Sequence, residues 1–111
     1  MAIPPMTQSE RAEASRRAVA LRRERAGVLR DLEQGRTSLE AMLERRDDVA
    51  GPIRVRRLLE ALPGIGPVRS ARLMREAGIS ERRRIKGVGP RQRERLLALL
   101  AVPPYGPFLP S

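Results

Sequence analysis

Apolar residues recur along this chain at intervals of three or four, the spacing of one face of an α-helix. Thr7 and Glu10 fit a capping box, and helix-forming residues then continue without proline or glycine to Ala26. We therefore predict a long first helix over about residues 8–34. Its first half offers mainly alanines among arginines, so we expect that half to project and the second half to pack. The apolar positions of the second half are Leu21, Val28, Leu29 and Leu32.

Four shorter helices are predicted after the first. Thr37 and Glu40 form a second capping-box pattern, which predicts a short helix. A third helix is predicted from Pro52 up to Pro63, and a fourth from about Pro67 to Ala77, with Gly78 just beyond its end. Ser80 is expected to cap a short turn, and Pro90 suits the first position of the last helix. The buried candidates of these helices are Leu39, Met42, Leu43, Val55, Leu58, Leu59, Leu62, Val68, Ala71, Leu73, Met74, Leu96, Leu97 and Leu100.

The predicted fold class is all α, because no segment alternates β-branched and polar residues. We expect a long N-terminal helix packed on a small helical domain. Residues 1–51 hold the long helix and the short capped helix, residues 52–101 a second helical module, and residues 102–111 a proline-rich tail, in one compact domain overall. The tail is either extended and free or lays Tyr105 or Phe108 on the helices or on a partner.

Two loops share a Gly-apolar-Gly-Pro pattern, GIGP at residues 64–67 and GVGP at residues 87–90. Gly64 and Gly66 lack a Cβ and can take unusual backbone angles, so another backbone can approach them closely, while Ile65 is expected to point inward. A phosphate there would meet the N–H groups of Gly66, Val68 and Arg69 at a helix N-terminus. A tight helix-helix turn without a ligand is the alternative.

The net charge of +10 is concentrated in the second half of the chain. Residues 52–111 carry 13 basic and 4 acidic side chains, whereas residues 1–51 carry 10 and 9. A polyanion is the natural partner of such a surface, nucleic acid before an anionic membrane, although a merely solvated surface is the simpler alternative.

Most familiar catalytic and metal chemistry is excluded, because the chain has no cysteine and no histidine. A helix-hairpin-helix glycosylase would need a lysine near the hairpin and a carboxylate beyond it, but the only lysine is Lys86 and no aspartate follows Asp48. Pro4 is internal, so it cannot act as an N-terminal nucleophile. We expect no enzyme activity and no cofactor. The expected ion-pair partners of arginines three or four residues away are Glu60, Glu76, Glu81 and Glu94.

The pattern ALPGIGPVRSARLM followed by REAGISERRRIKGVGPRQRERLLALL resembles the helix-two-turn-helix relatives of helix-hairpin-helix DNA-binding modules. With IPPMTQSERAEASRRAVALRRERAGVLRDL before it and TSLEAML between, the chain over about residues 1–101 resembles the actinobacterial integration host factor family. The resemblance implies an all-helical, nucleoid-associated protein that binds duplex DNA through its backbone with little sequence preference. It also implies bending or compaction of DNA and support for phage integration.

The resemblance assigns backbone gripping to the turn at residues 62–69 and a second basic contact to residues 82–94. Family members usually have lysine where this chain has Pro67, and often basic residues near Pro52 and Arg54, of which only Arg54 remains here. The DNA-binding residues expected in this chain are Gly64, Ile65, Gly66, Pro67, Val68, Arg69, Arg72, Arg82, Arg83, Arg84, Lys86, Gly87, Gly89, Arg91, Gln92 and Arg93, with Arg16 and Arg17 on the first helix.

The expected partner is double-stranded DNA, and a phage integrase complex is a further one that the resemblance allows. We expect a monomer in the cytoplasm, at the nucleoid, and no membrane contact, since the longest apolar run, LLALLAV, is far shorter than the roughly 20 residues of a membrane span. The alternative is a duplex or structured RNA, because a ribosomal small-subunit protein carries a similar module.

Overall fold

The computed structural model describes Pro5 and residues 7–101. Over these residues the chain forms five α-helices and no strand, which confirms the all-α prediction; the β pairing there is a single antiparallel bridge between Arg54 and Arg84. No helix in the described part is long and apolar enough to cross a membrane. The expectations for Pro4, Tyr105 and Phe108 lie outside the described residues. The elements are α1 (Gln8–Glu33), α2 (Leu39–Leu43), α3 (Val55–Glu60), α4 (Pro67–Glu76), a 3-10 turn (Ile85–Gly87) and α5 (Pro90–Leu100).

Helix α1 is capped and divided as its sequence predicts. Thr7 Oγ1 accepts a hydrogen bond from the Glu10 N–H at 3.1 Å. Residues 8–18 are all exposed, whereas Leu32 is buried and Val28 and Leu29 pack half-buried against the core. The first half of α1 therefore projects, and the second half docks.

The N-cap of α2 is Ser38 and not Thr37, so the predicted capping box at this helix is wrong by one residue. Ser38 Oγ accepts from the Ala41 N–H at 3.0 Å, and the helix begins at Leu39. With this start, Leu39, Met42 and Leu43 all reach the core, where each is at most 8 % exposed.

Helix α3 is shorter than predicted, because the backbone of residues 51–55 forms hydrogen bonds with residues 83–86. The Val55 N–H donates to Arg83 O at 3.0 Å, and the Ile85 N–H donates to Ile53 O at 2.9 Å. The Lys86 N–H donates to Gly51 O at 3.1 Å. Residues 51–53 form a turn and Arg54 is extended, so α3 begins only at Val55. These bonds cross the predicted boundary between residues 51 and 52.

The inward face of α4 differs from the predicted one at Val68 and Ser70. Val68, expected in the core, is 82 % exposed, whereas Ser70 is fully buried and its Oγ donates to Pro67 O at 2.9 Å. The buried residues of α4 are Ser70, Leu73 and Met74, which lie on one face. Val68 lies on the opposite side of the helix.

The loop between α2 and α3 is tightly built around Asp47. Arg45 Nε and Nη2 donate to the two carboxylate oxygens of Asp47 at 2.9 Å each, which lowers the pKa of the Asp47 carboxyl well below its ordinary value. A Cβ on Gly51 would lie 2.7 Å from Asp47 O, so this position tolerates only glycine without a shift of the backbone. The loop thereby presents residues 51–54 to the 3-10 segment.

Candidate nucleic-acid interface

The GIGP turn joins α3 to α4, and its two glycines serve different purposes. Gly64 has φ +80°, a left-handed conformation that favours glycine. Gly66 is extended, with φ −94° and ψ −174°, so the prediction of an unusual backbone is wrong for this residue. A Cβ at Gly66 would have no protein atom within 4 Å, which means that the residue faces open space. Ile65 is 5 % exposed and anchors the turn in the core, as predicted.

Four backbone N–H groups at this turn have no acceptor within residues 7–101. They belong to Gly64, Gly66, Val68 and Arg69. The last three are the donors that the sequence predicted, since Pro67 at the first helical position has no N–H. Together with the helix dipole they favour an anion at the start of α4. Arg69 Nη1 donates to Gly64 O at 3.0 Å, which holds a positive charge beside these donors.

The GVGP turn opens α5 as the GIGP turn opens α4, but the N–H groups of Gly87, Val88 and Gly89 all have acceptors. Val88 is 3 % exposed and takes the place that Ile65 has in the first turn. Gln92 Oε1 accepts from the Gly89 N–H at 3.0 Å, and Gln92 Nε2 donates to Gly78 O at 2.8 Å. Both ends of the Gln92 amide therefore hold the turn together, and its contact with DNA stays a prediction.

The basic segment before the GVGP turn lies beside residues 51–55. The bridge places Arg54 opposite Arg84, and Arg84 Nη1 donates to Pro52 O at 2.9 Å. Arg83 Nη1 donates to Gly87 O at 3.2 Å. In the described chain none of these arginines lies within 4 Å of a carboxylate. The exposed positive charges of this segment are Arg54, Arg82, Arg83, Arg84 and Lys86.

The other predicted contact residues are spread over three helices. Arg91 and Arg93 lie on α5 directly after the GVGP turn, and Arg16 and Arg17 are exposed on the projecting half of α1. Arg72 Nε lies 3.6 Å from Glu76 Oε1, which partly neutralises its charge.

Two of the four predicted ion pairs form. Besides the pair of Arg72 with Glu76, Arg56 Nε lies 3.2 Å from Glu60 Oε1. The prediction is wrong for Glu81 and Glu94, which have no basic partner within 4 Å among the residues described. Glu81 lies in a turn and not on a helix, so the helical spacing assumed for it does not apply.

Two arginines have structural contacts that the sequence did not reveal. Arg46 donates from Nη1 to Leu43 O at 3.1 Å and Ile85 O at 3.3 Å, and from Nη2 to Val88 O at 3.4 Å, so it ties α2 to the GVGP turn. Arg25 donates to Val49 O at 2.9 Å and Asp48 O at 3.0 Å, which fastens α1 to the following loop. Only their position in the fold separates them from the other arginines.

Two glycine turns, each anchored by a buried aliphatic side chain and each opening a helix, define this chain as a helix-two-turn-helix protein. Residues 32–100 match the S13-like H2TH domain family. The chain is 45% identical over 94 residues to the integration host factor of Streptomyces coelicolor, across 83% of this chain and 88% of that protein. It is 42% identical over 99 residues to the integration host factors of Mycolicibacterium smegmatis and Mycobacterium tuberculosis, across 87% of this chain and 94% of each of those proteins.

The chain therefore belongs to the actinobacterial integration host factor family, as its sequence motifs indicated. A solved structure described as sIHF bound to an 8bp palindromic DNA superposes with a TM-score of 0.73 and 39% sequence identity. That match covers 82% of this chain and 99% of the solved chain.

Proposed function

We propose that this chain is a nucleoid-associated protein that binds double-stranded DNA through its phosphates. The observation that carries the proposal is the solved relative, which shares the fold and 39% of its residues with this chain and holds duplex DNA. The GIGP turn supports the proposal because it has unpaired N–H donors at the start of a helix. The segment around Arg84 supports it because its positive charges have no carboxylate partner among the described residues. We propose that both features of this chain contact the phosphates of the DNA backbone.

Binding of this kind depends little on base sequence. Backbone N–H groups and most arginine contacts meet phosphates, which are the same for every base pair. Asparagine, which pairs well with adenine, is absent from the chain, and the amide of Gln92 is occupied. The arginines remain able to enter a narrow minor groove.

Titration of labelled duplexes of unrelated sequence, with matched duplex RNA as competitor, tests the proposal. We expect similar dissociation constants for all DNA sequences and weak competition by RNA. Duplex RNA, the other candidate, has less support because the solved relative holds DNA. Stronger binding of RNA than of DNA would overturn the proposal.

The same proposal includes the wider properties implied by the family. The protein acts as a monomer that bends or compacts DNA in the nucleoid, and it supports a phage integrase complex. It is a binding protein without enzyme activity or cofactor.

Bending is assigned to the basic segment and anchoring to the GIGP turn. Arg83 and Arg84 are held at their carbonyl partners and retain further N–H donors, so they can clamp a narrowed minor groove. We expect that the double variant Arg83→Ala/Arg84→Ala bends a short labelled duplex less than the unmodified protein at saturating concentration. Arg69→Ala is expected to lower affinity with little effect on the bend.

Energy transfer between the duplex ends measures the bend, and anisotropy measures the affinity. A matched control removes two other exposed arginines of the same half, Arg75→Ala/Arg95→Ala, and should leave the bend unchanged. Thermal unfolding of each variant checks that the lost carbonyl contacts have not loosened the turn. Equal bending by the unmodified protein and the Arg83/Arg84 variant would refute this division of roles.

A further inference from the structure

Val68 is the one large apolar side chain that is strongly exposed in the described part of the chain, at 82 %. An isolated exposed aliphatic residue is ordinary on a protein surface. The position of this one is not ordinary, because its own N–H is one of the four unpaired donors of the GIGP turn. Pro67 precedes it and Arg69 follows it, so the isopropyl group lies within the proposed phosphate contact.

The direction of the Val68 side chain follows from helix geometry. In an α-helix each Cα–Cβ bond tilts toward the N-terminus, and the N-terminus of α4 is the end that presents the donors. A phosphate held there has a sugar on either side along its strand, so the isopropyl group is placed to cover a sugar. Valine has one strongly preferred side-chain rotamer in a helix, and little freedom is lost when it is covered.

The two kinds of nucleic acid differ at the surface that Val68 would cover. Deoxyribose has a methylene at C2′, whereas ribose has a hydroxyl that donates and accepts hydrogen bonds. Covering a methylene with an isopropyl group removes apolar surface from water, which favours binding. Covering a hydroxyl leaves it without a hydrogen-bond partner, which weakens binding. We propose that Val68 selects deoxyribose over ribose and so makes this chain prefer DNA to RNA. The inference rests on the proposed function, because it requires a duplex at the GIGP turn.

The test compares the dissociation constants for duplex DNA and for duplex RNA of the same sequence, and takes the ratio of the RNA value to the DNA value. Val68→Thr keeps the shape and adds a hydroxyl that can pair with the 2′-hydroxyl, and Val68→Ala opens room for a hydrating water. Both variants should lower the ratio by at least about fivefold, the effect of one unsatisfied hydroxyl. The A-form of RNA affects all variants alike and cancels between them.

Arg91→Ala is the matched control, because Arg91 follows GVGP as Val68 follows GIGP. It should weaken binding to DNA and RNA equally and leave the ratio within twofold. The side chain of Val68 is mostly exposed, so both variants should unfold at the same temperature as the unmodified protein.

The outcomes separate the two proposals. If the unmodified protein binds no duplex DNA, the proposed function fails. If it binds DNA but both Val68 variants keep the ratio within twofold of the unmodified protein, the role of Val68 is overturned while DNA binding stands. The same holds if Arg91→Ala lowers the ratio as much as the Val68 variants do.

Discussion

Raising the salt concentration from about 50 to about 200 mM is expected to weaken binding of duplex DNA by about a thousandfold or more. Each phosphate that the protein neutralises releases condensed counterions, and added salt opposes that release. The GIGP turn, the segment from Arg82 to Lys86 and part of α1 together meet about 5 to 8 phosphates in this proposal. The logarithm of the binding constant should then fall against the logarithm of the salt concentration with a slope of about −5 to −7.

Anisotropy titrations at several salt concentrations give this slope, and scrambled duplexes serve as the control for sequence. Their dissociation constants should agree within about a hundredfold, since phosphate contacts do not distinguish bases. A slope shallower than about −2, or stronger discrimination between sequences, would contradict phosphate-directed binding.

Gly66→Val is expected to weaken duplex DNA binding by about tenfold or more, with little change in the fold. A Cβ at this residue meets no protein atom within 4 Å, and its extended backbone suits valine. The added branched side chain would instead occupy the space through which a phosphate reaches the unpaired N–H groups. The change in stability should stay within about 1 kcal/mol, the scale of a substitution at a helix N-cap.

The matched control is Gly27→Val, since Gly27 also has open space around its Cβ position but lies on α1, away from both glycine turns. Circular dichroism and binding are measured on the same samples. Loss of helicity together with binding in Gly66→Val would mean that the turn is only structural. Full binding by Gly66→Val would remove the turn from the interface.

Local rules predicted the parts of the site that depend on neighbouring residues. Pro67 and Pro90 open helices, Gly78 follows one with φ +71°, and Ile65 is buried, because each follows from backbone preference or spacing over a few residues. Val68 was misplaced because an apolar residue within a helical pattern was assumed to face the core. A phase error of half a turn, about two residues, moves such a residue from the core face to solvent.

Contacts between distant segments explain the remaining differences. The early part of the predicted third helix is not helical because residues 51–55 form hydrogen bonds with residues 83–86, and no pattern within either segment predicts those bonds. The roles of Arg25, Arg46 and Gln92 depend on carbonyl groups that only the fold brings near. Among 23 basic residues, sequence alone cannot tell a charge that holds the protein together from one that holds DNA.

The pairing of residues 51–55 with residues 83–86 closes a loop of chain that contains α3, the GIGP turn and α4. Arg46 and Gln92 then fix the GVGP turn against the same body. The two turns are therefore preorganised, and binding need not spend free energy on ordering them. A rigid pair of turns offers DNA one fixed separation between anchoring points. Any difference between that separation and the phosphate spacing of a straight duplex must be accommodated by the DNA, so strain on binding falls on the duplex and not on the protein.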